Sequence, residues 1–118
     1  METSVLLNTG YEAPGPRILL PKGLVRALGL KEKGSPVEAR TSLGTGILED
    51  LGVSLLIETE GRVAEAEVRV SGAETEAIAS DGLIEALKIE ILRAKEGVYR
   101  FSDDPPRKVR KGIRPAFW

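Results

Sequence analysis

Glu60-Gly61 interrupts two β-type runs, Val53 to Thr59 and Val63 to Val70. In the second run Val63, Glu65, Glu67 and Arg69 fall on one face, and Ala64, Ala66, Val68 and Val70 fall on the other. Successive side chains of a strand point to opposite sides, so this period of two describes a half-buried strand. The Gly at the break supplies the backbone freedom that a tight hairpin turn needs. The chain is therefore built around an antiparallel hairpin with one apolar and one charged face, and its fold class is mostly β.

The flanking segments extend the same reading. Val5-Leu6-Leu7 is a short apolar strand running into Asn8-Thr9-Gly10, where Gly10 permits a sharp turn at a strand end. After Ala13-Pro14-Gly15-Pro16, Ile18-Leu19-Leu20 reads as a second strand, and Pro21 suits the first turn of a short helix. Leu24, Val25 and Leu28 fall at helical spacing, and Gly29 is the stop. Val37 to Ser42 and Ile47 onward flank Gly44-Thr45-Gly46, which predicts a hairpin with a glycine-rich tip, a flap. Thr75 to Ala79 reads as a further strand. Ser80-Asp81 then opens a helix with Asp81 as N-cap and with Leu83, Ile84, Leu87 and Ile91 toward the core.

At 118 residues the chain has room for one compact domain. No run reaches the roughly 18 apolar residues of a membrane span, and Met1-Glu2-Thr3-Ser4 lacks the start of a signal peptide, so a cytoplasmic location with no membrane partner is expected. Cys and His are both absent. That excludes disulfides, thiol nucleophiles, Ser-His-Asp triads and most zinc chemistry, and no motif calls for a cofactor or a metal. Gly44-Thr45-Gly46 lacks the Lys and the strand-to-helix context of a phosphate-binding loop.

There is no Gln, and Asn8 is the only Asn. Scarcity of thermolabile amides beside abundant Glu, Lys and Arg is a thermophile's pattern. A chain so poor in amides either keeps Asn8 for a task in that loop, or carries it in place of an aspartate, or uses it for a turn conformation that Asn tolerates. The last segment, 105–118, carries Arg107, Lys108, Arg110, Lys111 and Arg114 with no acid. Taking those five from 17 bases leaves 12 against 18 acids, so residues 1–104 form an acidic domain and 105–118 a basic tail. Two readings of the tail stand: it wraps the acidic body of its own or a partner subunit with Phe117 and Trp118 as anchors, or it tethers nucleic acid. The single aromatic pair favours the first.

The order of features resembles the retropepsin-like aspartic proteases, the small dimeric relatives of pepsin found in retroviruses, bacteria and archaea. The resemblance is carried by Leu6-Leu7-Asn8-Thr9-Gly10, by Ile18-Leu19-Leu20-Pro21 with the helix ending Ala27-Leu28-Gly29-Leu30, by the glycine-tipped hairpin, and by Ala77-Ile78-Ala79-Ser80 before a helix ending Leu87-Lys88-Ile89. It implies an acid-protease barrel with a flap, and a homodimer in which each chain supplies one Asp-Thr/Ser-Gly loop to a cleft for an extended peptide. Thr9 would lock the two loops together and Gly10 would let the backbone turn beside the substrate. Glu12 stands where retroviral members carry an acid near the substrate backbone, and it reads equally as a solvated charge. Gly44, Thr45 and Gly46 would close over the peptide.

In such enzymes two aspartates about 3 Å apart share one proton, so one activates water and the other protonates the scissile carbonyl. This chain departs from that pattern with Asn8 at the position of the catalytic Asp. An amide cannot act as general base, and the expected loss is several powers of ten in rate. A second departure is Ser80, where many members have Gly. The sequence thus points to a pseudoenzyme that binds an extended peptide or partner segment. The alternatives are an active peptidase, in which Asn8 replaces a native Asp or Asp81 compensates, and a structural or nucleic-acid-linked module using the tail.

Overall fold

The computed structural model describes residues 2–7, 15–31, 34–41, 44–72, 74–113 and 115–118, with the backbone alone for 37–41 and 44–47. The elements run β1 (Val5–Leu7), β2 (Arg17–Pro21), α1 (Lys22–Ala27), β3 (Ser35–Thr41), β4 (Gly44–Thr59), β5 (Arg62–Ser71), β6 (Ala77–Ala79), α2 (Asp81–Ala86), β7 (Ile89–Arg93), β8 (Val98–Phe101) and β9 (Arg110–Lys111). The architecture is mostly β, as the alternation implies. Neither helix is long and apolar enough to cross a membrane.

The hairpin read from the sequence forms as β4 and β5. Thr59 pairs with Arg62 across a two-residue turn, and Glu60 (φ 48°) and Gly61 (φ 84°) both take positive φ. That is the turn whose twist matches the right-handed twist of paired strands. β4 is longer than expected, a single 16-residue strand. Its pairing shifts between Asp50 and Ser54, where Gly52 (φ 68°) gives its N–H to Asp50 Oδ1 at 2.8 Å. The bulge bends one strand where the sequence suggested two.

Six strands form a sheet in the order β1-β6-β2-β5-β4-β3, and β7-β8-β9 form a second. β1 runs parallel to β6 and β2 parallel to β5, whereas β2 pairs antiparallel with β6. The core lies under the first sheet, where Ile18, Leu20, Val68, Val70, Leu83 and Leu87 are buried together. Each such side chain contributes roughly 1.5–3 kcal/mol relative to exposure.

α1 follows Pro21, whose missing N–H costs nothing at a helix start. Its end is a Schellman motif: Gly29 (φ 72°) gives its N–H to Arg26 O at 3.0 Å and Leu30 to Val25 O at 3.1 Å. α2 departs from expectation at both ends. Ser80, not Asp81, is its N-cap, because the Ser80 hydroxyl accepts the Leu83 N–H. Ile91 is not in α2 but in β7, because Lys88 takes a left-handed φ of 61° and ends the helical course. Leu83, Ile84 and Leu87 are buried as read.

The alternation in β5 also stops short of its expected length. Arg69 is buried, because its register partner on β4 is Asp50, whose Oδ1 forms an ion pair with it at 2.9 Å. The charged face therefore extends only through Glu67.

Candidate functional site

Asn8, Thr9, Gly10 and Glu12 lie outside the described residues. The structure defines the frame from which that loop departs and to which it returns. Leu7 is the parallel register partner of Ala79, so β1 and β6 end side by side and pointing the same way. Ile18, near the start of the antiparallel β2, pairs with the same Ala79. The exit to residue 8, the return at residue 15 and the start of α2 thus share one end of the sheet.

Ser80 joins these pieces. It is fully buried. Its Oγ accepts from the backbone N–H of Arg17 at 2.9 Å and of Leu83 at 3.2 Å, and donates to Gly15 O at 3.3 Å. Its own N–H donates to Arg17 O at 3.0 Å. A glycine here would leave three backbone groups to find other partners, so the serine adds a tie rather than merely fitting the space. With its hydroxyl fully engaged and out of water, Ser80 is a positioning residue. The fit is close on the next turn as well: a Cβ on Gly82 would stand 2.5 Å from Gly15 O, a separation only glycine permits.

Asp81 is the first residue of α2, where a carboxylate is favoured by the unpaired N–H groups of the first turn. Gly44, Thr45 and Gly46 are not the hairpin tip. They are strand residues of β4 paired with Thr41, Arg40 and Ala39, and the strands are joined by residues 42–43, outside the described residues. The tighter connection wins because each added cross-strand pair satisfies backbone groups that a longer loop would leave to solvent.

Behind the frame, an apolar groove of about 460 Å³ separates β1 from the second sheet. Val5, Leu7, Leu83, Leu87 and Ile91 line it, together with Glu58 and Tyr99.

The tail meets the body through a cluster the sequence reading missed. Asp104, buried at a turn after β8, receives two N–H groups of Arg110 at 2.9 and 3.0 Å and the Phe101 N–H at 2.9 Å. The Arg110 hydrogen bonds hold the Asp104 carboxyl well below the usual carboxylate range. Arg110 also reaches Glu60 at 2.9 Å. Arg62 binds Asp103 at 2.6 Å and lies 3.8 Å over the Phe101 ring, which Arg110 approaches at 4.9 Å. Burial, then Glu60, pushes the nearby Tyr99 phenol up. The signal available in the sequence was Asp103-Asp104 set just before the first basic residue of the tail.

Farther along, the Ala116 N–H donates to Ser4 Oγ at 2.6 Å, and the Trp118 N–H donates to Thr75 O at 2.7 Å. The Trp118 indole N–H donates to Thr3 Oγ1 at 3.1 Å. Trp118 thus ties the tail to the body through hydrogen bonds, while its ring and that of Phe117 are 38% and 69% exposed. Among the described residues no cluster of His, Cys, Asp or Glu could hold a metal ion.

No protein-family model, curated protein or solved structure matches the chain.

Proposed function

We propose that the chain is a retropepsin-like aspartic protease homologue that binds an extended peptide or partner segment in a homodimer cleft, and that Asn8 leaves it without proteolytic activity. The observation that carries this reading is the parallel β1–β6 pair, which brings the exit to Asn8-Thr9-Gly10 beside the Ser80 turn. Such a frame suits a loop that must be held rigidly while it presents a residue to a partner loop. In this reading Thr9 and Gly10 shape the loop, Glu12 faces the peptide backbone, and the β3–β4 hairpin with Gly44, Thr45 and Gly46 is the flap. An Asn pair holds the same contact without the charge repulsion of two carboxylates, since each amide both donates and accepts.

The test is cleavage of an unfolded protein at acid pH and elevated temperature by the chain as it stands and by Asn8→Asp, at matched dimer concentration. Cleavage by Asn8→Asp alone, stopped by a pepsin-type transition-state analogue, is the expected result. Cleavage by the unaltered chain moves the reading to an active peptidase with another acid, Asp81 first. Absence of cleavage by a folded, dimeric Asn8→Asp chain removes the protease frame altogether.

A further inference from the structure

The outer face of the β4–β5 hairpin is apolar at its centre and acidic around it. Leu56 pairs with Glu65 and Glu58 with Val63, so these four residues share one face, opposite the inward Leu55, Ile57, Ala64 and Ala66. Leu56 is 74% exposed and Val63 55%. Among the described residues neither Glu58 nor Glu65 makes an ion pair.

The tail presents the complementary surface. Its anchors, Arg110, Ala116 and Trp118, hold it against its own body. Between and beside them Arg107, Lys108, Val109, Lys111, Ile113 and Phe117 face solvent. Ile113 is 78% exposed. Among the described tail residues Arg110 alone makes ion pairs, so the remaining bases have charge to offer. An acid-framed apolar patch and a basic apolar strip thus lie on one chain, each with exposed side chains, and they approach one another where Glu58 and Ile113 line the same groove.

We infer that the tail strip, through Lys108, Lys111 and Ile113, docks on the Leu56–Val63 face of a second copy of this chain. The contact joins apolar side chains at its centre and opposite charges at its rim, the composition of a specific but salt-sensitive interface. It is separate from the cleft dimer of the preceding section, since none of its residues lies in the Asn8 loop or at the ends of β1 and β6.

Sedimentation velocity over the micromolar range, at low and high salt, tests it with two charge reversals: Glu58→Lys with Glu65→Lys, and Lys108→Glu with Lys111→Glu. All four positions are exposed, and circular dichroism confirms that the variants fold. Each reversal alone is expected to weaken the salt-sensitive association by at least about tenfold, or 1.4 kcal/mol. An equimolar mixture of the two variants is expected to restore it, because each tail then meets a patch of opposite sign. A cleft dimer alone would persist through both reversals and ignore the mixing, which overturns this inference and leaves the other reading standing. A chain that stays monomeric at low salt overturns it too. So does self-association indifferent to the tail reversal while salt-dependent binding of a single-stranded oligonucleotide is lost, which makes the tail a nucleic-acid tether.

Discussion

Arg110 grips Asp104 with two hydrogen bonds of 2.9 and 3.0 Å, and this pair fastens β9 and the tail to the turn after β8. Because Asp104's carboxyl is held below its ordinary value of 3.8, the unfolded chain binds more protons than the folded one at acid pH. The sign follows: the stabilisation is complete above the ordinary value and is lost as pH falls below it toward the depressed one. Asp103, lowered by its hydrogen bond with Arg62, acts in the same direction. Urea midpoints measured between about pH 2.5 and 6 should therefore decline toward acid, and Asp104→Asn should flatten that decline. An unchanged slope in Asp104→Asn would show that Asp104 is not the group being titrated.

Ser80 carries a second prediction. Ser80→Ala removes a helix cap and leaves the Arg17 N–H and Gly15 O without their side-chain partner. A lost cap costs typically about 1 kcal/mol, and an unsatisfied buried donor about 1–3 kcal/mol more. The variant should lose roughly 2–3 kcal/mol by denaturant titration. Faster amide exchange should appear at Arg17 and Leu83 together, since one hydroxyl serves both. Ser80→Gly should behave likewise, which separates the hydroxyl's role from that of side-chain size.

What was legible in the chain follows from how local each signal is. The turn at Glu60-Gly61, the stop at Gly29 and the helix at Leu83, Ile84 and Leu87 are written within a few residues, and the structure places them where the pattern does. The second sheet was not legible, although β7 and β8 form a local hairpin, because Ile91 of β7 continues the helical spacing of α2 and β9 has only two residues. Arg69 misled because alternation records the strand's own pleat and not what its neighbour offers, and Asp50 makes a buried Arg tolerable on the charged face. Ser80 and Asp81 are both good caps by residue type, and only the Ser80 bond to the Leu83 N–H decides between them. Of the candidate site, the strand leading into Asn8 was readable, and the three-way tie at Ser80 was not, since it joins residues 15, 17 and 83.

Arg69 and Asp50 provide the third test. The Arg69 guanidinium is almost fully buried and its nearest carboxylate is Asp50, with Glu67 farther away at 3.6 Å. Removing Asp50, whose side chain is partly exposed, leaves the buried guanidinium with Glu67 alone, a loss smaller than the roughly 3–5 kcal/mol of breaking a fully buried pair. Asp50→Ala should therefore destabilise by roughly 1–2 kcal/mol, including the lost bond to the Gly52 N–H at the bulge. Asp50→Ala combined with Arg69→Met should recover much of the loss, because an apolar side chain of similar length replaces the stranded cation. A double variant no better than Asp50→Ala would mean that the damage is to the bulge rather than to the charge pair.

The last prediction is a stabilising one. Lys88 closes α2 in the left-handed conformation (φ 61°), where a Cβ crowds the carbonyl and glycine is the usual occupant. Its backbone is well bonded there: the Lys88 N–H donates to Glu85 O at 2.9 Å, and Lys88 O accepts from the Ser102 N–H at 2.7 Å. Both bonds survive loss of the side chain, which is exposed. Lys88→Gly relieves the steric cost, of about 1–2 kcal/mol, against a larger conformational entropy for glycine in the unfolded chain. The net effect should be a gain of about 0.5–1 kcal/mol, read as a higher melting temperature and urea midpoint with unchanged urea slope. Lys88→Ala should give no such gain, because it keeps the Cβ; equal stabilisation by both substitutions would trace the effect to the lysine's charge instead.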